Sequence, residues 1–337
     1  MIIHNNAELI DKFQWDLLVK SNPNGTIFQS PEIYDIYSFN NNYLPTVLAI
    51  IDDKSNKLTG VIVSVIQKEQ KGILGIFSSR SIIIGGPLIS NNNIEILNLL
   101  IKKNANQIGN NVIFSQFRNL FNLDGYNRYF EQNDYVRENH LNILIDLDKS
   151  IEDLWKGVHS KRRNEIRKAE KCGVTVRLID NIDELFITYD ILKEIYYRAR
   201  LPLPEYDFFK KVWEKYNKEI FKIFIAIFED KIIGTMYTLC YNNRIYDWYA
   251  GSYSAHYDKN PNDIIPWSVF LWGKENDFQI FDFGGAGNPN VKYGVRDYKK
   301  KFGGEIVDYG RYTKIHNQIL FQFSKFGFKI WQLLKSK

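Results

Sequence analysis

The spacing of apolar and polar residues divides the first half of the chain into predicted helices and strands. Apolar positions at helical spacing predict a helix over Ala7–Lys20. Ser30-Pro31 is typical of a capped helix start, and that helix is expected to run to about Phe39. The other predicted elements are strands over Thr46–Ile51, Lys57–Gln67, Ser81–Ile89, Asn111–Phe117 and Leu141–Leu147, and helices over Asn93–Ile108 and Asp124–Asn133.

The second half of the chain repeats this order of elements. Its predicted strands are Val174–Ile179, Lys222–Phe228, Ile232–Tyr241, Arg244–Gly251 and Gln279–Phe283, and its predicted helices are Ile182–Arg200, Glu205–Tyr216 and Asp263–Asn276. Both halves contain two strands joined by an acidic turn, with Asp52-Asp53 in one and Glu229-Asp230 in the other. A period of about 170 residues is too long for a solenoid and indicates duplication of one α/β domain.

The stretch Gln279–Glu305 combines a carboxylate, a glycine-rich turn and a cationic helix. The predicted strand that carries Asp282 runs into Gly284-Gly285-Ala286-Gly287, where the backbone can take positive φ or let a ligand approach closely. A short helix with Arg296 and Lys299 follows. The stretch therefore predicts a functional site, with a buried strand, a loop and a solvated basic face as the alternative.

A second cationic stretch, Trp155–Lys171, lies between the halves. Arg163, Arg167 and Lys171 recur every four residues and fall on one face of a predicted helix. Because the guanidinium group binds phosphate oxygens in a bidentate fork, we predict that Arg163 and Arg167 contact phosphate groups. A solvated basic face is the other interpretation.

Composition narrows the classes of protein that need consideration. A length of 337 residues suggests two domains or one large one, and a net charge of +5 favours anionic partners. Cys172 and Cys240 have neither the spacing of a disulfide framework nor that of a zinc site, so no metal is predicted.

The two ends of the chain bear on its location. The N-terminal stretch lacks the pattern of a signal peptide, and no apolar run is long enough to span a membrane, so we expect a cytoplasmic protein. The tail His316–Lys337 predicts an amphipathic helix docked on the body of the protein. Peripheral contact with an anionic membrane is the alternative.

Four stretches match the pattern of one known family. They are IFQSPEIY (27–34), KRRNEIRKAEKCGV (161–174), EDKIIGTMYTLCYNNRIYDWYAGS (229–252) and FDFGGAG...YGVRDYKKKFGGE (281–305), of which the last two are the most specific. In these the chain resembles the FemAB-like peptidoglycan bridge aminoacyltransferases, whose members carry two GNAT-like (N-acetyltransferase-like) domains in tandem. The resemblance covers nearly the whole chain.

The resemblance implies a fold class. It implies an α/β protein of two tandem GNAT-like domains, each with a mixed central sheet flanked by helices. We expect the first domain over residues 1–150, the second, with the catalytic segment, over 151–315, and the C-terminal helix over 316–337. No heptad stretch interrupts the second half, so the coiled-coil arm of the large bridge-forming members is not predicted.

The resemblance also implies a reaction. Family members transfer an aminoacyl group from a charged tRNA to the amine of a nucleotide- or lipid-linked cell-wall precursor, without a metal or redox cofactor. One departure concerns that acceptor. The helix after Ser30 carries Tyr34 and Tyr37 where a cation would be expected to grip a nucleotide phosphate, which puts a UDP-linked acceptor in doubt.

Candidate catalytic residues follow from the chemistry of acyl transfer to an amine. Tyr298-Lys299, before Phe302-Gly303, resembles the family's aromatic–lysine pair. We hypothesise that the Lys299 ammonium stabilises the developing oxyanion. Asp282 and Asp247 lie on neighbouring predicted strands, and either carboxylate could accept the amine's proton or hold the ammonium before reaction.

Eight further residues are predicted to bind substrate. Trp248 and Tyr249 would wall an apolar or sugar-bearing acceptor, with packing in the core as the alternative. The full predicted set is Arg163, Arg167, Trp248, Tyr249, Tyr298, Arg296, Gly284 and Gly285.

The stretch that corresponds to the coenzyme A-binding turn of related enzymes bears on which acyl carrier the protein uses. In acetyl-CoA enzymes of this fold, a glycine-rich turn before a helix cradles the pyrophosphate. The corresponding stretch Gly251–Asp263 is long and brings Asp263 near a helix N-terminus, where a carboxylate competes with phosphate. Acyl-CoA is therefore disfavoured as the co-substrate. An acyl-CoA-dependent N-acyltransferase acting on an amino sugar, and a non-catalytic polyanion-binding module, are the alternatives.

Overall fold

The computed structural model describes residues 1–68, 78–109 and 112–324. Its helices are α1 (Lys12–Ser21), α2 (Pro31–Ser38), α3 (Ile94–Ile108), α4 (Asn127–Glu131), α5 (Ile151–Gly157), α6 (Ser160–Lys171), α7 (Ile182–Ala199), α8 (Tyr206–Tyr216), α9 (Pro261–Glu275) and α10 (Gly294–Lys300). Its strands are β1 (Ile2–His4), β2 (Tyr43–Asp52), β3 (Lys57–Gln67), β4 (Arg80–Ile84), β5 (Leu88–Ile89), β6 (Phe114–Arg118), β7 (Val136–Glu138), β8 (Leu141–Asp146), β9 (Thr175–Leu178), β10 (Phe221–Phe228), β11 (Lys231–Tyr241), β12 (Arg244–Ser252), β13 (Ile280–Gly285), β14 (Glu305–Asp308) and β15 (Arg311–Ile315).

The chain forms two compact units. The first contains residues 1–140 and the segment that begins at Asp308, and the second contains Leu141–Val307. The division differs from the predicted boundaries at 150 and 315 because two strands pair with distant partners. Strand β8 pairs with β13 in the second unit, and β15 returns to pair with β6 and β7 in the first. Strand pairing over such sequence distances leaves no local signal.

The first unit is built on a sheet in the order β1-β2-β3-β4-β6-β15-β7, with β5 paired to β3. Strands β4 and β6 are parallel, and α3 lies in the crossover between them. Helix α3 packs on β2 and β3 through its apolar stripe, of which Leu97, Leu100 and Ile101 are fully buried. Tyr312 of β15 stacks on Phe130 of α4 with ring centroids 3.8 Å apart, which ties the returning strand into this core.

The second unit has a sheet in the order β14-β8-β13-β12-β11-β10-β9. Strands β12 and β13 are parallel and are joined through α9, so this unit repeats the parallel pair and helical crossover of the first. Met236 and Tyr237 of β11 point to opposite faces of the sheet. Met236 lies in the core with α9 and α6, whereas Tyr237 contacts Thr188 of α7 and Phe209 of α8.

Local sequence signals place several helix ends. Ser30 accepts a hydrogen bond from the Ile33 amide and Pro31 is the first residue of α2, as the sequence predicts. Asn93 caps α3 in the same manner. The predicted helix Ala7–Lys20 is shorter, because Asp11 caps a helix that begins at Lys12.

The predicted basic helix between the halves is two helices. Helix α5 ends at Gly157, and His159 caps α6 by accepting a hydrogen bond from the Lys161 amide. In the tail, residues 318–324 are helical, whereas residues 325–337 of the predicted C-terminal helix lie outside the described residues. Among the helices of the described chain, none combines the length and apolar character that crossing a membrane requires.

Substitution of Phe270 tests whether its ring belongs to the core of the second unit. Its ring is fully buried and meets those of Phe281, Phe283 and Phe302 with centroids 5.0, 5.8 and 6.1 Å away. Phe270→Ala should lower the free energy of unfolding by about 3–5 kcal/mol in urea denaturation, because it leaves a cavity among rings. Phe186→Ala, at a side chain that is 54% exposed, should change it by less than about 0.5 kcal/mol. Equal losses in the two variants would contradict this assignment of the core.

Candidate active site

The candidate site lies where β12 and β13 separate. Their parallel pairing covers Arg244–Tyr246 against Ile280–Asp282 and ends there, although β12 continues to Ser252 and β13 to Gly285. Strand β12 stays paired with β11 to its end. A gap therefore opens between the strands beyond Tyr246 and Asp282, which we call the fork. Within the described residues, the peptide groups that line the fork have no neighbouring strand on that side.

Two carboxylates lie at the fork. Asp282 is buried, and its Oδ1 accepts a hydrogen bond from the Gly284 amide at 2.7 Å. Burial raises the pKa of Asp282, and the Gly284 amide opposes that rise. For Asp247, burial raises the pKa to about 6, with the Lys299 ammonium opposing the rise and Asp282 adding to it. Two predicted catalytic carboxylates thus share one environment with Lys299.

Lys299 extends from α10 into the fork. Its ammonium donates hydrogen bonds to the carbonyl oxygens of Phe283 and of Gly285, the latter at 3.3 Å. The side chain is partly buried, whereas the neighbouring Lys300 is exposed. An ammonium held by backbone carbonyls on one side can present its remaining N–H to a developing oxyanion.

The glycine turn after β13 is shaped by backbone conformation. Gly284 has φ +70° and Gly287 has φ +78°, so both occupy the left-handed region, whereas Gly285 does not. Arg296 of α10 spans this turn by donating hydrogen bonds to the carbonyls of Ala286, Asn288 and Val291. Arg296 therefore holds the loop in shape, a structural contact that leaves its predicted role in substrate binding open.

Arg162 and Asp263 form a buried ion pair, although neither was among the predicted site residues. The Arg162 side chain is 16% exposed and that of Asp263 8%. The Arg162 guanidinium also lies over the Tyr298 ring, 4.6 Å from its centroid. The sequence contains a signal for this placement. Arg162 precedes the buried residues Ile166 and Ala169 at helical spacing, which places it on the inner face of α6.

At the start of α9, where a related enzyme would bind a pyrophosphate, the structure has contacts between protein groups. Asp263 lies near the N-terminus of α9, as the sequence predicts, although the helix begins two residues earlier at Pro261, and its carboxylate pairs with Arg162. The Tyr298 hydroxyl donates a hydrogen bond to the carbonyl of Asn262, so α10 packs against the start of α9. Among the described residues, no cluster of His, Cys, Asp and Glu side chains is arranged to hold a metal ion.

The two arginines predicted to bind phosphate contact their own unit. Arg163 donates hydrogen bonds at 3.3 Å to the carbonyls of Trp155 and Lys156 and thereby caps the end of α5. Arg167 is exposed, with its guanidinium 5.2 Å from the centroid of the Trp155 ring. Of the two, Arg167 keeps its donors more accessible.

Trp248 and Tyr249 belong to an aromatic cluster rather than to the wall of the fork. A bulge in the β11–β12 ladder between Tyr237 and Thr238 brings both rings to the α8 side, where Phe209 contacts them with centroids 6.0 and 5.0 Å away. Both remain partly exposed. The alternative of core packing describes their contacts better than a wall for the acceptor.

The two tyrosines of α2 lie in unlike environments. Tyr37 is buried, and Tyr34 packs edge-on against Trp15 with ring centroids 6.0 Å apart. Helix α2 carries no cation, so it does not supply the charge that the resemblance leads one to look for.

Comparison with known proteins defines the class. The pattern of the acetyltransferase (GNAT) domain matches residues 158–300, a range that contains Arg162, Asp247, Asp263, Asp282 and Lys299. A tandem GNAT protein from the clavulanic acid biosynthesis pathway superposes with a TM-score of 0.59 at 9% identity, covering 94% of this chain and 98% of that one. The protein is an acyltransferase built from two GNAT-like domains.

Two further comparisons narrow the class. The crystal structure of FemX superposes with a TM-score of 0.73 at 16% identity, covering 96% of this chain and 99% of that one. The UDP-N-acetylmuramoylpentapeptide-lysine N(6)-alanyltransferase of Weissella viridescens is 21% identical over 240 residues, which are 64% of this chain and 69% of the relative. The chain is thus similar in sequence to a Fem-type alanyltransferase and in fold to FemX.

Lys299→Met tests the ammonium at the fork. Removal of one preorganised oxyanion donor should lower kcat by about 100- to 1,000-fold, which corresponds to about 3–4 kcal/mol. The melting temperature should stay near that of the wild type. Lys300→Met, one residue away at an exposed position, is the matched control and should retain activity. Equal activities in the two variants would remove Lys299 from the mechanism.

Asp247→Asn tests the carboxylate environment through pH. The native pKa of about 6 lies above the ordinary value of 3.8, so between these values the native state binds more protons than the unfolded state. Wild-type stability contributed by Asp247 therefore falls as pH rises through this window. The gain in unfolding free energy of Asp247→Asn over wild type should be greatest above pH 6 and vanish below about pH 4. Asp207→Asn, at an exposed carboxylate, is the control, and a pH-independent gain would contradict the assignment.

Proposed function

We propose that the protein transfers an aminoacyl group from aminoacyl-tRNA to an amine of a nucleotide- or lipid-linked peptidoglycan precursor. The observation that carries the proposal is the Lys299 ammonium at the fork, beside Asp247 and Asp282. The name of the Weissella viridescens relative describes alanyl transfer to the lysine of UDP-N-acetylmuramoylpentapeptide, which supports this reaction type.

The geometry of the fork suits attack of an amine on an ester. The neutral amine forms a bond to the carbonyl carbon of the aminoacyl ester, and the bond to the ribose oxygen breaks. Negative charge develops on the carbonyl oxygen, where Lys299 can stabilise it. The amine's proton passes to a base while the leaving hydroxyl gains one. Burial raises the pKa of Asp247 to about 6, and Asp247 is the better placed base of the two carboxylates because it is more exposed than Asp282.

Contacts at the start of α9 support tRNA rather than coenzyme A as the carrier of the acyl group. A pyrophosphate bound there would meet the Asp263 carboxylate and would have to displace Arg162 or Tyr298. An acyl-CoA-dependent N-acyltransferase acting on an amino sugar is the second candidate, favoured by the match to the GNAT acetyltransferase pattern.

Mass spectrometry of defined reactions separates these candidates. Purified protein is incubated with tRNA charged with isotope-labelled amino acids and with UDP-N-acetylmuramoylpentapeptide or its lipid-linked form. We expect the acceptor to gain the mass of one aminoacyl residue, and Lys299→Met to form product at least about 100-fold more slowly. The amide should resist mild base that cleaves esters, which distinguishes transfer to an amine from transfer to a hydroxyl.

A parallel measurement addresses the carrier. Micromolar coenzyme A should leave the melting temperature unchanged if tRNA is the donor. Stabilisation by coenzyme A, together with acylation of an amino sugar by acyl-CoA and no product from charged tRNA, would overturn the proposal in favour of the second candidate.

A further inference from the structure

Helix α10, which carries Lys299, is short and is held in place by side-chain contacts. It is seven residues long, and none of its residues is buried. A helix of this length is marginal in water, so its position depends on contacts with the rest of the unit. The ammonium of Lys299 can be held at the fork only if these contacts fix the helix.

The contacts around Tyr298 and Phe302 involve one buried cation, Arg162. The Arg162 guanidinium lies over the rings of Tyr298 and Phe302, with centroids 4.6 and 5.6 Å away. Its Nε makes no hydrogen bond within the described part of the chain, so the Asp263 carboxylate and the two aromatic faces hold the group. Tyr298 directly precedes Lys299. Arg162 thus connects α6, α9 and α10 at the residue next to the ammonium.

In the described part of the chain, backbone hydrogen bonds to other elements hold the C-terminal end of α10. The His159 amide donates a hydrogen bond to the Lys301 carbonyl at 2.9 Å, and Phe302 is buried in the core. Gly303 has φ +85°, and a Cβ there would lie 2.8 Å from the Gly157 carbonyl oxygen, so the chain turns tightly after the helix. These contacts locate the end of α10, whereas rotation of the helix about that end is limited by the side chains of Tyr298, which lies next to Lys299, and of Arg296.

We propose that the Arg162–Asp263 pair is a positioning device for catalysis: stacked on Tyr298, it fixes α10 so that the Lys299 ammonium stays at the fork. Arg162 is a positioning residue, because it acts through Tyr298. Asp263 has the same role, and its carboxylate also occupies the place where a related fold would bind pyrophosphate. The kinetic part of this inference depends on the proposed function, whereas its structural part does not.

The double variant Arg162→Met/Asp263→Leu tests the inference. Apolar residues of similar size often replace a buried ion pair without loss of stability, whereas removal of one partner leaves a buried charge. We expect a melting temperature close to that of the wild type. Amide hydrogen exchange over residues 294–300 should accelerate at least about tenfold, because local opening of the helix becomes easier. The exchange measurement needs no substrate.

The kinetic arm separates positioning from stability. In the double variant kcat should fall by about 100-fold, the order expected when a reacting group is displaced by about 1 Å, and KM for the acceptor should change little. Arg162→Lys keeps the charge but loses the planar stack, so its kcat and exchange should be intermediate. It also serves as the test if the double variant does not fold.

A matched control is available at the β9 edge of the sheet in the same unit. Arg177 of β9 and Glu184 of α7 form an ion pair with N–O distances of 2.5 and 2.9 Å, away from α10. Arg177→Met/Glu184→Leu should leave exchange over 294–300 and kcat unchanged. Wild-type exchange over 294–300 in the Arg162/Asp263 double variant would overturn the inference. Faster exchange with unchanged kcat would also overturn it. If wild-type protein makes no product from charged tRNA, the proposed function fails, and the exchange result alone decides whether the pair fixes α10.

Discussion

The separation of β12 from β13 is the constraint on which the candidate site depends. A parallel pair normally continues its ladder, and in the first unit β4 and β6 are paired from Arg80–Phe114 to Ile84–Arg118. In the second unit the ladder ends at Tyr246–Asp282, and backbone carbonyls are left for an ammonium to bind. The same strand–helix–strand arrangement therefore differs between the two units. In the first unit the two parallel strands stay paired, whereas in the second they separate and bring Lys299, Asp247 and Asp282 together.

The basic residues between the halves divide into groups by burial. Arg162 is enclosed and pairs with Asp263, Arg163 caps a helix, and Arg167 is exposed beside Trp155. Three arginines that are close together in the sequence therefore have three different environments: a buried ion pair, a helix cap and an exposed position. Only the last is free of a demanding structural contact, so the predicted phosphate contacts depend mainly on Arg167.

Much of the local structure could be predicted because its causes are local. The start of α2 follows from Ser30 and Pro31, and that of α3 from Asn93, since each cap requires only a few neighbouring residues. The two compact units divide the chain at other positions than the predicted domain boundaries, because β8 and β15 pair with strands far along the chain. The fork could be anticipated only as two neighbouring strands, since the point where a ladder ends depends on packing around it.

The sequence by itself determined the order of elements, the duplication, the resemblance to a FemAB-like family and the set of polar residues from which a site could be built. Tertiary structure decided which of them meet. Lys299, Asp247 and Asp282 come together because the sheet opens between their strands, while Trp248 and Tyr249 turn to the aromatic cluster because β12 contains a bulge. The physical reason is that a side chain's chemistry depends on burial and on partners from distant elements, and periodicity along the chain reports neither.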